Sequence, residues 1–214
     1  MNFTKDDLLL YAVTDRSWLK PGQSLTEVCA DVLQNGATFL QIREKDLDAA
    51  NFEAEARELQ DLCRTHRVPF VVNDSVEIAL AMDADGVHVG QSDIRGRDIR
   101  AMIGPDKILG ISAGTVEEAL AAEAAGADYL GVGAVFGTTT KRNSRTGSLD
   151  QLRAVCAAVS IPVVAIGGIN AGNLELLRGT GADGAAVVSA IFAADDPGKA
   201  TAGLLARANE VFRG

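Results

Sequence analysis

Gly126-Ala127-Asp128-Tyr129-Leu130-Gly131-Val132-Gly133 runs from the end of a helical pattern into a short apolar strand. Its opening phrase returns along the chain as Gly36-Ala37-Thr38 and Gly181-Ala182-Asp183, with a looser copy at Asp83-Ala84-Asp85-Gly86. Each copy follows a helical pattern and precedes a strand-like run. The glycine takes the left-handed backbone that stops a helix. The small alanine lets that helix lie close to a sheet. One βα module repeated at spacings of roughly 20–30 residues predicts eight units closed into a ring.

The strands expected from this reading are Leu8–Asp15, Thr38–Lys45, Pro69–Asp74, Gly86–Gly90, Ile108–Ala113, Tyr129–Phe136, Pro162–Ile169 and Gly184–Ile191. Continuous apolar runs of this kind suit parallel strands buried on both faces. Helical patterns lie between them: Ser24–Asn35, Leu47–His66, Ser75–Met82, Arg95–Ile103, Val116–Ala125, Ser148–Val159, Ala171–Gly179 and Pro197–Phe212. Ser24 with Glu27 forms a capping-box pattern, and Thr115 and Asp196 are candidate caps. The expected architecture is α/β: a single-domain (β/α)8 TIM barrel over residues 1–214. An open doubly wound sheet is the alternative, but it usually has fewer strands.

A formal net charge of −9 disfavours nucleic acid or an anionic membrane as partner. The polar N-terminal segment does not read as a secretory signal, and no apolar run is long enough to span a bilayer. Cys29, Cys63 and Cys156 form no C-x-x-C pair and fit free thiols in a reducing cytoplasm. A cytoplasmic enzyme on small-molecule substrates is expected, with homo-oligomerisation left open.

In such a barrel the site lies where the strands end. Gln41-Ile42-Arg43-Glu44-Lys45 places Gln41, Arg43 and Lys45 on one face of an extended run. Two cations and an amide suit a strongly anionic group such as a diphosphate; the alternative is an exposed edge strand with solvated charges. Asp74 and Asp93 end neighbouring strands, about 5 Å apart. Two carboxylates there suit Mg²⁺ completed by water and substrate phosphates, or else serve as helix caps. Gly167-Gly168, with Val188-Ser189 on the next strand, offers backbone N–H groups to a phosphate, or else only permits a tight turn. The polar run from Gly137 to Gly147 reads as a binding loop or a linker. His88 points into the barrel and reads most simply as a hydrogen-bonded core histidine.

The motifs Gln41–Lys45, Val72-Asn73-Asp74, Asp85–Asp93, Gly110-Ile111-Ser112, Phe136–Lys141 and Ile166–Ile169 together resemble the thiamine phosphate synthase family, in order from about Leu10 to Ile191. That family joins 4-amino-5-hydroxymethyl-2-methylpyrimidine diphosphate to a thiazole phosphate and releases pyrophosphate. The resemblance implies that Gln41, Arg43, Lys45 and Asn73, with Ser112 and Lys141, bind the pyrimidine diphosphate. Ile42 and Glu44 of the same run are counted with this substrate-binding set. It implies Mg²⁺ on Asp74 and Asp93, and the thiazole phosphate on Thr138, Thr139, Thr140, Gly168, Val188 and Ser189. Arg43, Lys45, Ser112 and Lys141 would carry the chemistry, a dissociative substitution with no covalent nucleophile. Two positions depart from the family pattern: Gly137, where many relatives carry Pro, and Gly114, where they carry His. The second bears on a sister group, thiazole tautomerases, which use a histidine near that position. A catalytically silent phosphate-binding barrel is the third reading.

Overall fold

The structure, a computed structural model, describes residues 3–137 and 148–214. Eight parallel strands close into one barrel in chain order. They are β1 (Leu10–Val13), β2 (Phe39–Ile42), β3 (Phe70–Asn73), β4 (Gly86–Val89), β5 (Ile108–Ala113), β6 (Tyr129–Gly133), β7 (Val163–Ile166) and β8 (Gly184–Val187). The helices around them are α1 (Leu25–Gln34), α2 (Ala49–His66), α3 (Val76–Ala81), α4 (Ile99–Ile103), α5 (Val116–Ala124), α6 (Leu149–Ala158), α7 (Ser189–Phe192) and α8 (Pro197–Phe212). Ser24 and Glu27 form the capping box of α1, and Thr115 and Asp196 cap α5 and α8.

The repeated phrase does more than stop helices. Gly36, Gly126 and Gly181 all have positive φ, and Asp83 takes the same role in the looser copy. The third residue of each phrase then clamps the start of the preceding strand. Asp128 Oδ2 accepts from Leu109 N at 2.7 Å, Asp183 Oδ2 from Val163 N at 3.0 Å, Asp85 Oδ2 from Phe70 N at 3.0 Å, and Thr38 Oγ1 from Leu10 N at 2.9 Å. Backbone N–H groups at the closed end of the barrel are thereby satisfied. Asp128 also holds Arg100 at 2.6 Å. Asp128→Ala leaves the Leu109 N–H unpartnered and is expected to destabilise the chain by about 2 kcal/mol, read as a shift in urea midpoint.

Two apolar layers result. Leu40, Ile42, Val72, Val87 and Val89 face the helices in the outer core. Inside the barrel, Tyr11, Phe39 and Tyr129 pack together, and Phe3 seals the stack from below. Phe3 lies 6.0 Å from Phe39 and 5.7 Å from Tyr129, and Tyr11 lies 4.5 Å from Phe39, centroid to centroid. Cys29 and Cys63 are buried in the outer core and Cys156 is half-buried. Burial raises all three thiols, Cys156 to about 11. Among the described residues no helix is long and apolar enough to cross a membrane.

Strands β1, β2, β6 and β7 are shorter than expected, and three further elements differ. Ala171–Gly179 is not an α-helix; only a 3-10 turn, Leu174–Leu177, forms there. Asn170 and Asn173 turn their side chains onto nearby backbone N–H groups and replace the helical ladder. The α4 helix starts at Ile99, four residues later than Arg95, because Asp98 caps it. The β8 strand stops at Val187, and Ser189 opens α7 instead of continuing the strand.

Candidate active site

One unbroken hydrogen-bonded chain crosses the inside of the barrel. Asn73 Oδ1 accepts from Gln41 Nε2 at 2.6 Å, and Gln41 Oε1 accepts from the Tyr11 phenol at 2.5 Å. Tyr11 and Tyr129 hydroxyls lie 2.8 Å apart. Tyr129 Oη meets His88 Nδ1 at 3.0 Å, and His88 Nε2 meets Ser112 Oγ at 2.9 Å. The six residues come from six strands, β3, β2, β1, β6, β4 and β5. Two glycines make room for it. A Cβ at Gly110 would overlap the Tyr129 ring and come within 2.5 Å of His88 Nδ1; one at Gly131 would lie 3.0 Å from His88 Cε1. Burial pushes both phenols above their ordinary value, so both are neutral near pH 7.

Of the expected site residues, Gln41, Asn73 and Ser112 belong to this chain, and His88 is the hydrogen-bonded core histidine expected. Tyr11 and Tyr129 were not singled out, because a tyrosine inside an apolar run reads as core. The usable signal is that a buried phenol needs a polar partner.

Charge gathers above this neutral interior. The strand ends at Ile42, so Arg43 and Lys45 are not strand residues as expected. The backbone N–H of Arg43 leaves the ladder and donates to Thr14 Oγ1 at 2.9 Å. Because β2 lies between β1 and β3, the edge-strand alternative falls. The Arg43 side chain is mostly buried, 3.6 Å from Asp15, whereas Lys45 is exposed. Ile42 and Glu44 face the other way. Ile42 packs in the outer core. The Glu44 side chain is 1% exposed and takes Arg16 Nε at 2.9 Å, while Arg16 Nη2 holds Glu55 at 2.7 Å.

Burial raises the Glu44 carboxyl above its ordinary value of 4.5, and the Arg16 bonds oppose that shift. Glu44 therefore contributes most to stability below 4.5 and loses that contribution as pH rises through its raised value. Arg16→Met removes the opposing cation. Since Arg16 is 34% exposed, the expected loss is about 2 kcal/mol near neutral pH, less than for a fully buried pair. The loss should shrink as pH is lowered toward 4.5. Urea titrations of both proteins across that range read it.

Asp74 follows β3 directly with φ of +62°, a left-handed backbone that a non-glycine residue takes at a cost. Its N–H donates to His88 O at 2.8 Å. Asp93 follows β4 and accepts from Gly90 N at 2.8 Å. Neither caps a helix: Ser75 caps α3 and Asp98 caps α4. Among the described residues no group of three or more His, Cys, Asp or Glu is placed to hold a metal ion. Two carboxylates at one rim are a partial oxygen set, which suits Mg²⁺ finished by water and phosphate oxygens.

Gly167 and Gly168 have φ of +102° and +67° and press on the segment after β6, where Phe136 N donates to Gly167 O at 3.1 Å. Val188 and Ser189 stand at the start of α7 beside them. Thr138, Thr139, Thr140 and Lys141 lie outside the described residues. Gly137 has φ of +74°, a conformation closed to proline. Gly114 donates its N–H to Glu118 Oε2 at 2.7 Å, and its carbonyl accepts from Gln151.

Polar residues at the C-terminal strand ends of a closed parallel barrel, over a neutral hydrogen-bonded interior, define a (β/α)8-barrel enzyme. The chain belongs to the thiamine monophosphate synthase family, whose model matches residues 10–191. It is 44% identical over 204 residues to a thiamine-phosphate synthase of Clostridium tetani, covering 95% of this chain and 97% of that one. A thiamine-phosphate synthase of Clostridium beijerinckii is 47% identical, with 90% and 91% covered. The solved thiamine phosphate pyrophosphorylase of Pyrococcus furiosus superposes with a TM-score of 0.89 at 40% identity, covering 97% and 98%. The chain is accordingly a transferase of thiamine biosynthesis.

Proposed function

We propose that this chain joins 4-amino-5-hydroxymethyl-2-methylpyrimidine diphosphate to a thiazole phosphate, in a Mg²⁺-dependent reaction that releases pyrophosphate. The observation that carries the reading is the vertical sorting of the site. Amide and hydroxyl groups of Gln41, Asn73 and Ser112 lie in the neutral interior, and Arg43, Lys45, Asp74 and Asp93 lie at the strand ends. A flat heteroaromatic ring suits the lower level and a charged leaving group the upper one.

The methylene C–O bond breaks first, and the diphosphate leaves with the electron pair. Arg43 and Lys45, with Lys141, stabilise its growing charge. The 4-amino group delocalises positive charge left on the methylene carbon. Gln41, Asn73 and Ser112 hold the ring while the thiazole nitrogen supplies its lone pair to that carbon. Gly168, Val188 and Ser189, with Thr138, Thr139 and Thr140, hold the thiazole phosphate so that its nitrogen lies in line. What Mg²⁺ on Asp74 and Asp93 supplies when bound is charge neutralisation at the diphosphate. No step needs a strong base, which suits an interior of neutral phenols.

Incubation of both substrates with and without Mg²⁺ tests the reading. Thiamine phosphate and pyrophosphate should appear in equal amounts, and only with Mg²⁺. Isomerisation of a thiazole carboxylate phosphate without condensation would instead support the tautomerase, against which Gly114 speaks because it carries no proton-transfer group. Phosphate binding without either reaction would leave the silent barrel.

A further inference from the structure

The direction of every hydrogen bond in the inner chain follows from one side chain. The Tyr11 phenol gives its single proton to Gln41 Oε1, whose amide nitrogen is turned to Asn73. Tyr129 must then donate to Tyr11, because Tyr11 has no proton left to give. Tyr129 in turn accepts from His88, so His88 carries its proton on Nδ1. With the ring singly protonated, Nε2 is an acceptor and Ser112 donates to it. The two ends emerge with opposite character. Asn73 keeps both amide protons to give, and Ser112 keeps two lone pairs to receive.

For a singly protonated His88 only one other arrangement satisfies the chain, and it reverses every bond at once. Any mixture sets two donors or two acceptors face to face in the buried interior, which is costly. The ends are therefore coupled through four intervening residues.

We infer that Tyr11 and Tyr129 are positioning residues that lock this proton order, so that the Asn73 end donates, the Ser112 end accepts, and the site selects a 4-amino pyrimidine over its 4-oxo counterpart. A 4-amino ring pairs a ring-nitrogen acceptor with an exocyclic N–H donor. A 4-oxo ring presents the reverse, an N–H beside a carbonyl. Tyr11 and Tyr129 are 1% and 0% exposed, so neither touches a bound molecule and both act through Gln41 and His88. The seats at Gly110 and Gly131 keep the Tyr129–His88 contact clear. The identity of the ring rests on the proposed function; the proton order does not.

The chain has two histidines, His66 and His88. Nitrogen-15 NMR of the ligand-free protein labelled at histidine, with His66→Gln for assignment, reads the order directly. His88 should show a protonated Nδ1 and an unprotonated Nε2. Nε2–H or a doubly protonated ring would overturn the proposal without bearing on the condensation reaction. In Tyr129→Phe and in Tyr11→Phe the fixed tautomer should give way to a mixture. Dissociation constants for the 4-amino and 4-oxo pyrimidine diphosphates, measured without thiazole phosphate, give the second readout. Either variant should lose at least about tenfold of the amino preference, and the double variant no more than either single one. Unchanged discrimination in folded variants, or additive losses, would refute the lock. If condensation fails while the tautomer and its response to Tyr129→Phe hold, the function is wrong and the lock stands.

Discussion

Arg43→Ala is expected to lower the rate of condensation by about a thousandfold with little change in stability. In the proposed mechanism the guanidinium faces charge that builds only as the diphosphate departs, and removing one such donor from a preorganised site costs about 10²–10³ in rate. The main-chain bond from Arg43 N to Thr14 Oγ1 survives the substitution, so the end of β2 keeps its course. The ion pair with Asp15 is long, at 3.6 Å, and contributes little to folding. Arg43→Lys should recover only part of the loss, because an ammonium lacks the planar fork that grips two oxygens. Single-turnover formation of thiamine phosphate, with urea midpoints alongside, separates rate from folding. A rate within about threefold of the parent would remove Arg43 from the leaving-group site.

On the proposed Mg²⁺ reading, Asp93→Asn should change the metal requirement of the reaction. The asparagine oxygen can still accept from Gly90 N, so the turn after β4 is retained while the charge is lost. The Mg²⁺ concentration for half-maximal rate is expected to rise at least about tenfold, equivalent to about 1.4 kcal/mol of binding. Asp74→Asn should behave alike, since Asp74 caps no helix either. Metal titrations of the rate decide it. An unchanged metal requirement in both variants would place the ion elsewhere.

The barrel was readable because the strands are buried on two faces and therefore mostly apolar, and because several helices end at a glycine of the repeated phrase, Gly36, Gly126 and Gly181. What the aspartates of the repeated phrase do was not readable. Asp128 clamps Leu109, and Asp183 clamps Val163, each reaching back to the preceding strand. Such pairings exist only once the ring has closed. The rim residues were readable as types. Arg43 stands out as a cation beside an apolar run, but its departure from the strand depends on Thr14, which lies 29 positions earlier. The expected helix over 171–179 failed for a local reason, the preference of Asn170 and Asn173 for their own turn. Tyr11 and Tyr129 stayed hidden because apolar context outweighs a single hydroxyl in any pattern of hydrophobicity.

Phe3, Phe39, Tyr11 and Tyr129 stopper the cylinder at its lower end. The barrel is thereby plugged from beneath, so on the proposed reading both substrates arrive and both products depart over the strand-end rim.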